Sequence, residues 1–241
     1  MSASSPIHPP AAAPTLRGIS SMATRLLLAE LAQAWQASGG EPLLIESVGG
    51  VDAARRVAAG EPFDAVFLAR DALQRLAADG HVCVDSIVDL VRSPVAVAVP
   101  AHAARPALDS AADVRAAVQQ ARRIGVSTGP SGQALQRLFD DWGLGELVRQ
   151  RLVVPPPGVP VGSLVASEDI DLGFQQLSEL IHIPGIQLVG TLPPELGLVT
   201  VFAGAVACRS PHGDAVRRVL AFMASPAADE AKRRQGMEPA R

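Results

Sequence analysis

Three times between residues 16 and 80 a short apolar run stops at polar or glycine residues and a helical period takes over. Leu16 to Ile19 (LRGI) is short and, Arg17 apart, apolar, and Ser20 and Ser21 follow at once. Met22, Leu26, Ala29, Ala34 and Trp35 then mark one face of a predicted helix over 22–37, stopped by Gly39 and Gly40. The run PLLIES (42–47) leads through Gly49 and Gly50 to a helix over 51–59, and DAVFLA (64–69) leads through Arg70 to a helix over 71–78. The third run is apolar without alternation, as a strand covered on both faces of a parallel sheet should be. Strand, polar turn and helix in repeated order predict an α/β fold, in which ligands bind beyond the carboxyl ends of the strands. Those ends carry Ser20 and Ser21, then Ser47, Gly49 and Gly50, then Arg70.

The pattern returns further on. VDLVRSPVAVAV (88–99), with Arg92, Ser93 and Pro94 in its middle, is too long for one flat core strand and reads as a crossing between lobes. A helix over 109–120 precedes IGVSTGPSGQALQRLFDD (124–141), where an apolar strand meets a glycine-rich turn and then a helix packed through Leu135, Leu138, Phe139 and Trp142. After LVV (152–154) and three prolines, VPVGSLVA (159–166) is a second turn feeding a helix. IDLGF (170–174) is a buried strand with Gln175 and Gln176 at its carboxyl end, and VTVFAGAVA (199–207) can carry the chain back before helices over 211–224 and 226–235. The predicted architecture is two α/β lobes joined by two crossings, with a hinged cleft between them. One lobe takes 15–97 and 200–241, the other 98–199, and 1–14 is expected to be a disordered tail.

The glycine-rich turn is the leading candidate for ligand binding. Ser131 fits the N-cap position, Pro130 fixes the helix start, and Gly129 and Gly132 allow backbone to approach a ligand. Free N–H groups at such an end, backed by the helix dipole, attract carboxylates and oxyanions. Val161 and Gly162 offer a second such start, and Ser20 and Ser21 a third, although each serine could be an ordinary cap. Arg70 and Arg92 are candidate carboxylate clamps, or else surface ion-pair partners. Gln175 and Gln176 either hydrogen-bond ligand oxygens or satisfy backbone near the hinge. Glu46 ends an apolar strand, where desolvation would raise its pKa toward that of a useful base, unless Arg55 or Arg70 neutralises it. His182, before Pro184, is a second proton-transfer candidate or a surface histidine. Ser127 in GVSTG matches the GxSxG pattern of hydrolases formally, but helix geometry points to Ser131 as the serine at the elbow.

Composition narrows the partners. The 241 residues are 48% hydrophobic with a net charge of −3, and Lys232 is the single lysine, which excludes a phosphate-loop lysine and a basic nucleic-acid footprint. Cys83 and Cys208 stand far apart in sequence without metal-ligand spacing, so no metal or organic cofactor is implied. No stretch is long and apolar enough for a membrane span. The first residues lack a basic start and an apolar run, so as written the chain is expected to be a cytoplasmic monomer, and periplasmic, beside an ABC permease, only if a leader is missing.

At Ser20 and Ser21, at VDAARRVAAG from Val51, at the GPSG turn (129–132) and at GFQQLSEL from Gly173, the chain resembles the periplasmic molybdate-binding protein family, with its type II solute-binding fold. In that family a serine after the first strand, a serine before the second helix, backbone N–H groups of two helix starts and a tyrosine hold a tetrahedral oxyanion. Ser21 matches the first; the second serine falls on Gly50 or Val51, and the tyrosine on Gln176 in a chain without tyrosine. With these departures, and at the stretches ISSMATR, ESVGGVDAA, STGPSG, PPGVPVGSLVA and GFQQLSEL, the chain looks more like the aconitate isomerase-like branch of the family. The resemblance then implies a small di- or tricarboxylate ligand and movement of a double bond, with a transporter's oxyanion-binding subunit as the alternative.

Overall fold

The computed structural model describes residues 14–156 and 158–241. The expected tail therefore lies, Pro14 apart, outside the described residues. In chain order the first half holds β1 (Leu16–Ser21), α1 (Arg25–Ala37, after a 3-10 turn over Met22–Thr24), β2 (Leu43–Val48), α2 (Gly50–Ala58), β3 (Ala65–Ala69) and α3 (Arg70–Ala78). The long strand β4 (Val88–Pro100) leads to α4 (Ala111–Gln120), β5 (Ile124–Val126), α5 (Pro130–Asp141), α6 (Gly145–Arg151), β6 (Leu152–Val153), α7 (Val161–Ala166), β7 (Leu172–Gln176), α8 (Leu177–Leu180) and β8 (Ile186–Thr191). The chain closes with β9 (Val199–Val206), α9 (Gly213–Ala224), α10 (Asp229–Arg234) and β10 (Glu238–Pro239).

Strands β1, β2 and β3 are mutually parallel, as are β5, β6 and β7, while β4 and β9 run antiparallel to their neighbours. The strands join into one path, β2-β1-β3-β9-β4-β7-β5-β6, with β8 and β10 also paired to β4. The crossing expected over 88–99 is the single 13-residue β4, because Val88–Pro94 pairs with β9 and Val95–Pro100 pairs with β7 and β8.

The two-residue alternation of each strand builds the cores. In β3, Ala65, Phe67 and Ala69 face α1, α9 and α10, whereas Val66 and Leu68 face α2 and α3. In β4, Val95, Val97 and Val99 join the core under α4, α5 and α6, and Ala96 and Ala98 join that under α7 and α8. Each half thus has its own apolar layers on both faces of its strands, which is why these strands read as continuous apolar runs. The face expected for α1 is rotated: Leu27, Leu28 and Leu31 are buried, and Leu26 is 37% exposed.

Candidate functional site

A cleft of about 930 Å³ opens between the halves. Its walls come from the carboxyl ends of β1, β2 and β7 and the segments that follow them, from α5 and the turn before it, and from Val154–Pro156 and Gly158–Val161. Ser21, Ser47, Gly49, Gly50, Ser127, Gly129, Ser131, Val161, Gln175 and Gln176 all line it, so most of the polar positions expected at strand ends converge.

Two helices of useful length start at this cleft. α2 is capped by Gly49 and α5 by Gly129, with Pro130 at N1. Ser131 is therefore inside the helix at N2 and is not its N-cap. Its Oγ lies 3.1 Å from Ser127 Oγ, so these hydroxyls form a pair at the cleft wall. Gly132 does not make room for a ligand. A Cβ there would lie 1.7 Å from the Ser127 carbonyl oxygen, so glycine is required for α5 to pack against the end of β5.

Ser20 and Ser21 have different parts. Ser20 is wholly buried and its Oγ lies 2.8 Å from Ser47 Oγ, which it steadies from behind. Ser21 lines the cleft, and its buried Oγ has no hydrogen-bond partner. A buried hydroxyl left without a partner costs about 1–3 kcal/mol, so this atom is set up to meet a ligand oxygen.

The two glutamines tie the cleft together. Gln175 Oε1 accepts from the Gly162 N–H at 3.1 Å, which takes that N–H out of the expected ligand set. Gln175 Nε2 donates to Glu179 Oε1 at 2.9 Å. With its amide turned so that nitrogen faces Ser93 Oγ (2.7 Å) and oxygen accepts from Thr200 Oγ1 (2.8 Å), Gln176 links β7 to β4 and β9.

The charged candidates lie elsewhere. Glu46 falls on the other face of β2 from Ser47, where Arg56 grips it (Nη2 to Oε2 3.0 Å) while also binding Glu61 at 2.7 Å. Arg56 holds the Glu46 carboxyl below the usual carboxylate range, the reverse of the desolvated base expected. Strand alternation and Arg56, rather than the expected Arg55 or Arg70, are the reasons. His182 Nε2 lies 3.0 Å from Gln235 Oε1, away from the cleft. Arg70 heads α3, pairs with Asp89 and lines an adjoining cavity of about 600 Å³ with Arg75 and Arg137. Arg92 is exposed and lines neither cavity. The arginine that does line the cleft is Arg55, paired with Asp52.

Sequence reasoning passed over Glu179, one turn beyond the carboxyl end of β7. It lines the cleft, and burial pushes its carboxyl up to about 7 despite the Gln175 hydrogen bond and the charge of Arg25. The signal was present in GFQQLSEL: a carboxylate on the short helix that starts directly at the carboxyl end of a buried strand, the end at which such sheets bind ligands.

Among the described residues no group of three or more His, Cys, Asp or Glu is placed to hold a metal ion, and no helix is long and apolar enough to cross a membrane. Hydroxyls, the starts of α2 and α5 and one partly buried carboxylate thus line a single interlobe cleft, an arrangement of the solute-binding kind. Residues 16–238 match the bacterial extracellular solute-binding protein family, to which the chain belongs. Within it, the chain is 34% identical over 245 residues to an aconitate isomerase from a Pseudomonas species, covering 98% of this chain and 92% of that one. The fold also matches the periplasmic molybdate-binding protein of Azotobacter vinelandii, with a TM-score of 0.75 at 20% identity, covering 92% of this chain and 98% of that one. The sulfate-binding protein of Mycobacterium tuberculosis gives 0.76 at 17% identity, covering 94% and 87%. The type II periplasmic-binding-protein-like fold is thus the one expected from sequence.

Proposed function

We propose that the chain binds a small di- or tricarboxylate in the interlobe cleft and moves a carbon–carbon double bond within it, as a cofactor-free isomerase. The observation that carries this reading is one cleft that joins the unpartnered Ser21 hydroxyl and the starts of α2 and α5 to the carboxyl of Glu179. The 34% identity to an aconitate isomerase supports it. Such donors would hold substrate carboxylates, and would stabilise the negative charge that spreads onto them when a proton leaves an adjacent carbon; elsewhere one such donor is worth about 3–4 kcal/mol. Arg55, in place of Arg70 or Arg92, would supply countercharge by exchanging Asp52 for the ligand.

The molybdate- and sulfate-binding neighbours favour a second reading, a transporter's oxyanion-binding subunit. A cleft of about 930 Å³ is at the scale of organic-ligand sites and generous for a tetrahedral oxyanion. A cytoplasmic location suits the isomerase, and an exported protein beside an ABC permease suits the subunit; fractionation of cells expressing the native gene separates them. Differential scanning with aconitate, citrate, molybdate, tungstate and sulfate tests the ligand class. A ligand at 100 times its Kd adds about 2.7 kcal/mol of stability. The proposal expects a shift with aconitate, and a shift with molybdate alone would overturn it.

A further inference from the structure

Glu179 is the carboxylate that lines the cleft without an ion-pair partner among the described residues. Its backbone is held firmly. Ser178 Oγ donates to the Ala23 carbonyl at 2.8 Å, and Leu180 is buried in the core beneath Ala96 and Ala98. Its carboxyl is also aimed, because Gln175 is itself fixed by the Gly162 N–H and donates to Oε1 from one side. A carboxylate so placed keeps Oε2 free to face a ligand.

Among the charges around it, only that of Arg25 reaches it, and weakly. α8 packs on β4, β7 and the turn over Met22–Thr24. β7 and that turn carry no ionisable side chain, β4 carries Asp89, paired with Arg70, and the exposed Arg92, and Arg25 opens the helix after the turn. Asp52 and Arg55, which also line the cleft, pair with each other. Burial therefore dominates, and the carboxyl changes charge near neutrality, at about 7. A group with that balance both accepts and returns a proton at working pH.

We propose that Glu179 is the catalytic acid–base, and that its substrate is an unsaturated polycarboxylate bearing hydrogen on the carbon between the double bond and a carboxylate. This rests on the isomerase reading above. The ionised Glu179 takes the proton from that allylic carbon. The C–H electron pair becomes the new double bond, and the pair of the old double bond shifts to the far carbon. Glu179 then returns a proton to that carbon. One proton leaves and one comes back, so no oxidant, hydride or cofactor is consumed. While the charge is spread over the allylic system and its carboxylates, Ser21 Oγ and the N–H groups at the helix starts are the donors placed to meet it.

The test follows aconitate by proton NMR in D₂O with wild type, Glu179→Gln and Glu179→Asp, each first shown by thermal scanning to be folded and stabilised by aconitate. Glu179→Gln keeps the amide contact to Gln175 and should retain ligand-induced stabilisation while exchange of the allylic hydrogen falls at least about a hundredfold. Glu179→Asp, which retains an ionisable carboxyl, should keep measurable exchange. Wild-type exchange should rise with pH up to about 7 and level off above it. An active wild type with Glu179→Gln exchanging at the same rate would overturn the role of Glu179 while leaving the isomerase reading intact. A wild type that binds aconitate and exchanges nothing would remove both.

Discussion

Replacing Glu179 by Gln should make the protein more stable at alkaline pH and leave it unchanged at acid pH. Burial raises this carboxyl from 4.5 to about 7 in the folded protein. Below about 4.5 both folded and unfolded chains hold the proton, and the group has no effect on stability. Between there and about 7 the unfolded chain has released the proton and the folded one has not, so stability falls as pH rises. Above 7 the folded protein carries the full cost of an ionised, poorly solvated carboxylate. The gap between 4.5 and about 7, at about 1.4 kcal/mol per pH unit, sets that cost at roughly 3 kcal/mol as an upper figure, since one side of the group faces the cleft. Gln accepts the same Gln175 hydrogen bond without charge, so the variant should melt higher by up to roughly 5–10 °C at pH 8.5. Thermal unfolding of both proteins at pH 5 and pH 8.5 isolates the effect, because every other titrating group cancels in the difference. A gain of equal size at both pH values, or no gain at pH 8.5, would refute the argument that burial governs this carboxyl.

Gly132→Ala should cost about 1–3 kcal/mol or more, because its Cβ would meet the backbone carbonyl of Ser127 at 1.7 Å and no rotamer relieves that clash. A loss under about 0.5 kcal/mol in urea unfolding would contradict the packing role given to this glycine. Glu46→Gln should leave the rate of allylic exchange unchanged, since Arg56 holds Glu46 outside the cleft; a hundredfold loss would return it to the mechanism. Cys83 and Cys208 are free, with their sulfurs 3.1 Å apart. Oxidation by glutathione disulfide should join them and raise stability by about 2–4 kcal/mol, reversibly with dithiothreitol, and faster at high pH because Cys208 is pushed up to about 11. Persistence of two titratable thiols after oxidation at pH 9 would contradict this.

What could be read from the chain followed from how each feature is encoded. The strands β3 and β7 and their polar carboxyl ends are local patterns, because burial on both faces demands apolar runs. The convergence of Ser21, Ser47, Ser127 and Ser131 followed from the rule that such sheets bind ligands beyond those ends. β8 was not foreseen: IQLVGT follows His182, Pro184 and Gly185 closely and pairs only with the far end of β4. The partner of a charged side chain was the least legible property of all. Whether Glu46 meets Arg56 or Arg55 turns on one residue of helix phase, and its side of β2 on one residue of strand register. Glu179 is the converse case. Its burial comes from β4 and the 22–24 turn, elements distant in sequence, so a composition-based search for an apolar-flanked carboxylate favoured Glu46. The Gly132 contact likewise depends on α5 folding back onto the end of β5, which a cap motif alone does not reveal.

The cleft is proposed to perform proton chemistry on a bound carboxylate and not only to hold an anion. The decisive measurement incubates aconitate with the wild-type protein in D₂O and follows the allylic proton signal by NMR against a protein-free control. Catalysed loss of that signal, continuing after the isomers have reached equilibrium, is the expected result. Tight binding of aconitate, seen as a thermal shift, with every carbon-bound hydrogen retained would contradict it.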